Sequence, residues 1–133
     1  MSYVLDSTVI IDYVIGFQAG QEMVDRLFAQ SEDLYVCDIV TCETLSKGTP
    51  EDLRVARSLL DALEYVALAP DGAAWAGDRR RERIESGRRK PSTTDALIAA
   101  LAHSLGATVV TRNAADFAAF DVPVLGYASP ALD

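Results

Sequence analysis

Apolar positions along the chain change period repeatedly, and the changes mark out alternating strands and helices. Tyr3-Val4-Leu5 is a short β-prone run that ends at Asp6. Ser7 is placed to cap the helix that follows, and Gly16 to end it. Met23, Val24, Leu27 and Phe28 share one face of a second helix, from Gln18 to about Gln30. Leu34-Tyr35-Val36-Cys37 forms the next strand, and a short helix around Val40 to Ser46 is closed by Gly48. Thr49 then offers an N-cap, Pro50 fits the first helical position, and Glu51 and Asp52 suit the positive end of the dipole. Leu53, Ala56, Leu60 and Leu63 make that helix's buried stripe. Tyr65-Val66-Ala67-Leu68 is a third strand stopped by Pro70.

The second half follows the same alternation. A helix from about Asp71 to Glu85 carries Trp75, an expected packing anchor, and Gly87 breaks it. Ser92 or Thr93 caps a helix with Leu97, Ile98, Leu101 and Leu105 at helical spacing, ended by Gly106. Thr108 to Thr111 is a strand, Ala114 to Phe120 a short helix, and Val122 to Leu125 a Pro-containing strand that suits an edge. Strands alternating with helices predict an α/β fold, with a mainly parallel sheet covered on both faces. Ligands of such sheets bind beyond the carboxyl ends of the strands.

A length of 133 residues argues for one domain spanning 1–133. Half the residues are hydrophobic and 24% charged, the balance of a globular rather than a disordered chain. No apolar run reaches the roughly 18 residues of a membrane span, and the N-terminus lacks the features of a secretory signal. Cys37 and Cys42 cannot make a disulfide framework, so a reducing cytoplasm is the expected location. The net charge of −8 opposes binding to polyanions, but it is unevenly spread. Seven of the twelve basic residues fall between Arg79 and Lys90.

The acids carry the candidate chemistry. Asp6 ends the first strand, Glu43 lies in the helix after the second, and Asp116 follows the Thr108 strand. All three belong to one sheet edge. Asp95, in the first turn of the Ser92 helix, joins them only if that helix starts at the same edge, which the pattern grants only with a fold-back. Asp12 lies about 240° around its helix from Asp6 and stays outside the set. Two unit charges about 4 Å apart repel by about 4 kcal/mol at an effective dielectric of about 20. Convergent carboxylates therefore need protons or a cation. Oxygen ligands favour a hard ion, Mg²⁺ or Mn²⁺. Cys37, Cys42 and His103 have the wrong number and spacing for zinc, and His103 faces out of its helix's core stripe.

These residues fall into four blocks. They are Val4-Leu5-Asp6-Ser7-Thr8-Val9-Ile10-Ile11-Asp12-Tyr13, Thr41-Cys42-Glu43 with Gly48, Thr94-Asp95-Ala96-Leu97-Ile98-Ala99-Ala100-Leu101-Ala102, and Val110-Thr111-Arg112-Asn113-Ala114-Ala115-Asp116-Phe117. In this order and at these spacings the chain resembles the PIN-domain proteins, specifically the VapC-type toxin ribonucleases of bacterial toxin–antitoxin pairs. The resemblance implies a three-layer α/β/α sandwich with a central mainly parallel sheet, and brings Asp95 to the common cleft. It implies that Asp6, Asp95 and Asp116 are the main metal ligands, direct or through water. Glu43 would hold a second metal or orient the attacking water, and Thr8, Thr111 and Asn113 would support the cleft. The implied reaction is attack of water on an RNA phosphodiester, leaving 5′-phosphate and 3′-hydroxyl ends in a transfer RNA or ribosomal RNA loop. The implied partners are a VapB-type antitoxin, whose C-terminal segment lies across the cleft, and a second copy of the chain. One departure stands out: the residue after Glu43 is usually apolar in the family, and here it is Thr44.

The basic strip has two readings. Glu82 and Glu85 are placed to pair with Arg79, Arg81, Arg88 or Arg89 on one solvated helix face. Arg88, Arg89 and Lys90, with Arg80 and Arg81, are alternatively expected to hold the RNA backbone beside the cleft. Two other classes compete with the nuclease. A non-catalytic binding module on the same fold would need no metal. A strand-end-aspartate phosphotransfer domain would want a second Asp where Thr8 stands, and a lysine near its phosphate.

Overall fold

The computed structural model describes residues 1–30 and 32–128, so the final five residues of the expected domain lie outside the described part. The strands are β1 (Ser2–Leu5), β2 (Asp33–Val36), β3 (Glu64–Tyr65), β4 (Thr108–Thr111) and β5 (Val124–Gly126). The helices are α1 (Ser7–Ile15), α2 (Gln18–Ala29), α3 (Asp38–Thr44), α4 (Pro50–Ala62), α5 (Pro70–Glu85) and α6 (Thr93–Leu105). The sheet order is β3-β2-β1-β4-β5, and every pairing is parallel. Consecutive residues of the central strands are buried, Val4 with Leu5 and Val109 with Val110. Neighbouring strand residues point to opposite faces, so both faces are covered and the expected layered α/β architecture holds.

The elements differ from the pattern where an edge or a polar group intervenes. β3 has two residues rather than four, and both are exposed; Val66 adds one more bond to the ladder, N–H to Val36 O at 2.9 Å. β5 begins after Pro123, whose ring leaves no N–H for the ladder, while its carbonyl accepts from Val109 N at 2.9 Å. The short helix expected over Ala114 to Phe120 is a 3₁₀ turn, Ala114–Phe117, pinned to the core by the fully buried Phe117. In α2 the buried face is Met23, Val24 and Leu27, while Phe28 is 41% exposed. In α4 it is Ala56 and Leu59, with Leu60 only half-buried.

Caps follow the sequence closely. Thr49 and Asp52 form a reciprocal capping box at the start of α4, with Thr49 Oγ1 accepting from Asp52 N and Asp52 Oδ2 accepting from Thr49 N, both at 3.1 Å. Gly16 and Gly106 end α1 and α6. One cap moves: Asp6, not Ser7, occupies the N-cap of α1, and its carboxylate accepts from Ser7 N at 2.8 Å. Asp6 has a short acceptor side chain and extended backbone angles, the requirements of that position. Cys37 likewise precedes α3 as its N-cap residue rather than ending a strand.

Thr44 occupies a buried position in α3, and its Oγ1 has no hydrogen-bond partner among the described residues. An unmet hydroxyl in a dry site costs about 1–3 kcal/mol. Thr44→Val keeps the shape and removes that hydroxyl. It is expected to raise stability by about 1 kcal/mol in urea unfolding, and a loss of stability instead would mean that the hydroxyl is hydrated.

Candidate active site

In the strand order β3-β2-β1-β4-β5, successive strands leave β1 in opposite directions, so the crevice of this sheet opens at the carboxyl ends of β1 and β4. Leu5 is paired with Val110, which sets Asp6 beside Thr111. Asp6 is 3% exposed and its backbone N–H donates to Val110 O at 2.9 Å, extending the ladder by one bond. Thr8 Oγ1 donates to Asp6 Oδ2 at 2.9 Å, and Thr111 Oγ1 donates to the same oxygen at 2.8 Å. Each hydroxyl then accepts from the loop after β4: Thr8 from Arg112 N at 3.2 Å, Thr111 from Asn113 N at 3.0 Å. The carboxylate is thus fixed by α1 on one side and β4 on the other. Asn113 contributes its backbone N–H and makes no side-chain cap bond to the 3₁₀ turn.

The other acids arrive from three elements. Ser7, freed from capping, donates from Oγ to Glu43 Oε1 at 3.0 Å and so ties exposed Glu43 of α3 to the start of α1. Asp116 sits in the 3₁₀ turn anchored by Phe117. Asp95 lies in the first turn of α6, where Ser92 Oγ accepts from its backbone N–H at 3.0 Å. No fold-back is needed to bring it there. A helix that leads into a parallel strand runs back across the sheet, so it starts at the carboxyl edge. That rule was available from the sequence.

Asp95 registers the company it keeps. Its carboxyl is pushed up to about 6, first by burial and then by the Asp6, Asp116 and Glu43 carboxylates, while a hydrogen bond from Ser92 offsets part of the rise. Among the described residues no three acidic, histidine or cysteine side chains form a ready-made metal cage. The donor set still fits a hard divalent ion. It consists of oxygen only, one of its members is driven toward neutrality first by burial and then by the other three, and Mg²⁺ keeps several waters rather than requiring all its ligands from protein.

Behind Asp6 lies a second polar unit that the sequence pattern did not reveal. Asp12 is outside the carboxylate set, as expected, yet it is 0% exposed. It accepts from Arg112 Nη1 at 2.6 Å and from Tyr127 Oη at 2.7 Å. Burial and the bond to Asp12 push the Tyr127 phenol above its usual range. Gly20 of α2 packs against this aspartate so closely that a Cβ there would stand 2.6 Å from Asp12 Cβ. Arg112 therefore links α1 to the loop that carries Thr111, Asn113 and Asp116. Only the partner spacing, about 100 residues, hid the pair from a linear reading.

The basic strip is divided. Arg79 pairs with Glu82 at 3.1 Å, and Arg81 with Asp78 at 2.9 Å and Glu85 at 4.0 Å. Arg80 Nε donates to Pro91 O at 3.1 Å. Arg89 and Lys90 line a cleft of about 230 Å³ together with Arg83, Asp95 and Asp116, whereas Arg88 does not. Trp75 is partly buried against Phe120, as expected of a packing anchor, and His103 is exposed but stacked on the indole at 4.7 Å. No helix among the described residues is long and apolar enough to cross a membrane.

The PIN domain family model matches residues 3–123 of this parallel α/β chain. The chain belongs to that family. Ribonuclease VapC19 of Mycobacterium tuberculosis is 26% identical to it over 116 residues, 87% of this chain and 92% of the relative. Two solved assemblies share its fold. DNA-bound VapBC from Salmonella typhimurium has a TM-score of 0.80 at 21% identity, over 95% of this chain and 98% of that one. VapBC2 from Rickettsia felis, bound to a DNA fragment from its promoter, has a TM-score of 0.79 at 21% identity, over 96% and 99%.

Asp12→Ala leaves a half-buried guanidinium and a half-buried phenol without their partner. It is expected to destabilise the protein by about 3–5 kcal/mol in urea unfolding; a loss below about 1 kcal/mol would mean that Arg112 swings out to water without cost. Asp95 sets a pH dependence. Folded, it keeps its proton up to about pH 6, against 3.8 for the ordinary group, so the folded protein binds more protons in that window and loses stability as pH rises through it. The stability advantage of Asp95→Asn over wild type, measured in EDTA, should grow from pH 4 to pH 6 and then level off. A constant difference would show that Asp95 titrates normally.

Proposed function

We propose that the chain is a divalent-metal-dependent endoribonuclease that acts as the toxin of a toxin–antitoxin pair. The observation that carries this reading is the electrostatic one: Asp95 feels Asp6, Asp116 and Glu43 together, at the crevice where a parallel sheet binds its ligands. The 26% identity to Ribonuclease VapC19 supports the choice of RNA as substrate. Asp6, Asp95 and Asp116 would hold Mg²⁺ or Mn²⁺, with Glu43 holding a second ion or orienting the attacking water. A bound divalent ion supplies a more acidic water and neutralises charge developing on the phosphate and the leaving oxygen.

The chain's own residues prepare that chemistry. Thr8 and Thr111 hold Asp6 in one orientation through its Oδ2, and Ser7 holds Glu43 through its Oε1. The water oxygen bonds to phosphorus as the bond from phosphorus to O3′ breaks. The 3′ oxygen ends with a proton, and the products carry 5′-phosphate and 3′-hydroxyl groups. The expected setting is the cytoplasm. The expected partner is an antitoxin segment across the cleft, and an apolar groove of about 270 Å³ suits it. Ile11, Val14 and Ile15 of α1 face Leu53 and Ala56 of α4 across that groove, which runs up to Glu43. Homodimerisation and assembly with the antitoxin belong to the same reading.

The test is cleavage of total cellular RNA by the purified, antitoxin-free protein in Mg²⁺, Mn²⁺ or EDTA. Discrete fragments are expected with either metal and none with EDTA. Thr111→Val, which removes a support, should slow cleavage about 10–100-fold, and Asp6→Asn by more than that. Cleavage that survives EDTA or Asp6→Asn rules out the proposed site. Folded protein that neither cleaves RNA nor binds Mg²⁺ in calorimetry is a binding module instead.

A further inference from the structure

Six of the seven cations between Arg79 and Lys90 separate into two groups by what they touch, and the seventh, Arg88, is in no ion pair and does not line the cleft discussed below. Arg79, Arg80 and Arg81 are spent on the protein itself, on Glu82, the Pro91 carbonyl and Asp78. Arg83, Arg89 and Lys90 take part in none of the ion pairs among the described residues. These three line one cleft with Asp95 and Asp116. Opposite charges thus border the same cleft and stay more than 4.0 Å apart. The gap has the chemistry of a ligand that presents anionic oxygens to the cations and, through a divalent ion, to the carboxylates.

Local structure explains the division. α5 and α6 run antiparallel, since Trp75 stacks on His103 at one end and Arg80 reaches Pro91 at the other. Arg83, near the end of α5, is thereby brought to the start of α6 and Asp95. Gly87, at φ +71°, turns the chain back, and Arg88 N donates to Arg83 O at 3.0 Å to close the turn. That bond uses the Arg88 backbone only, and its side chain does not line the cleft, while Arg89 and Lys90 come round to it. Arg83 has a further mark. Its Nε is buried without a hydrogen-bond partner among the described residues. Arg79 Nε is buried in the same way, but the Arg79 guanidinium already bonds Glu82 and lies 5.4 Å from the centre of the Trp75 ring. Arg83 has no such engagement.

We propose that Arg83, with Arg89 and Lys90, forms a phosphate-binding subsite that grips the RNA backbone one or a few nucleotides from the bond that is cut. The subsite rests on the nuclease reading above and deepens it. Arg83 is the central member, because a planar guanidinium binds two phosphate oxygens at once. The linear charge pattern puts Arg88, Arg89 and Lys90 first, with Arg80 and Arg81 beside them; the folded chain replaces Arg80, Arg81 and Arg88 with Arg83.

The probe is a fluorescein-labelled single-stranded RNA oligonucleotide, and the readout is anisotropy across a KCl series in EDTA, where no RNA is cut. Arg83→Gln should weaken binding about tenfold and reduce the slope of log K against log salt by about 0.7, one phosphate contact. Arg83→Lys keeps the charge and loses the fork, so it should retain the slope while binding less tightly. Arg57→Gln, an exposed arginine on α4 outside the cleft, should match wild type. Unchanged affinity and slope in Arg83→Gln overturn the subsite, as does wild type with no measurable affinity at low salt. An equal loss in Arg81→Gln overturns it too, in favour of a diffuse cationic surface. The two readings fail separately. Metal-dependent cleavage by wild type with normal RNA binding by Arg83→Gln removes the subsite and leaves the nuclease. Loss of the slope in Arg83→Gln, with no cleavage by wild type in any metal, removes the nuclease and leaves the subsite.

Discussion

Repulsion between like charges at one edge of a parallel sheet is the constraint around which this molecule is arranged. Parallel strands all end on the same side, so acids that follow β1, β2 and β4 meet whether or not the meeting is favourable. α6 begins at that edge as well and adds Asp95. The fold answers locally with hydroxyls: Thr8 and Thr111 for Asp6, Ser7 for Glu43, Ser92 beside Asp95. Hydroxyls orient carboxylates but do not neutralise them, and the Asp95 carboxyl is raised first by its burial and then by the acids around it. Stability and chemistry pull against each other there, as strained or uncompensated groups at functional sites commonly do.

Asp12 and Arg112 resolve the opposite problem. They form a fully enclosed acid with a cation beside it, and Tyr127 closes the remaining lone pair. This unit lies one layer behind the crevice and holds the β4 loop against α1. The backbone N–H of Arg112 meets Thr8, and Thr8 meets Asp6, so the ion pair and the buried Asp6 carboxylate are joined through two hydrogen bonds. Loosening the pair therefore reaches the site without touching a carboxylate that faces the cleft.

Much of this was legible in the chain. The ends of β1 and β4, the Thr49 N-cap, the Gly16 and Gly106 stops and the positions of Asp6, Glu43 and Asp116 follow from local chemistry, which acts over a few residues. What escaped was decided by partners far away in sequence. Asp12 looked idle because Arg112 lies 100 residues on. The arginine strip looked uniform because only folding tells Arg83, beside Asp95, from Arg81, beside Asp78. Leu60 and Phe28 were assigned to buried faces because a helical stripe is wider than the surface that covers it. Asp95 is a different case, since crossover geometry alone was enough to locate it.

The bond from Thr111 to Asp6 joins residues 105 apart. A ribosome makes this chain from the Asp6 end and adds roughly 5–20 residues each second. Throughout most of that interval β1 has no β4 to lie against, and Asp6 lacks both the neighbouring strand and the hydroxyl that orients it. Every nascent or prematurely ended chain that stops short of β4 is therefore without a formed crevice. The crevice is finished only once β4 has been made, which delays any chemistry there until more than a hundred residues after Asp6 have been joined.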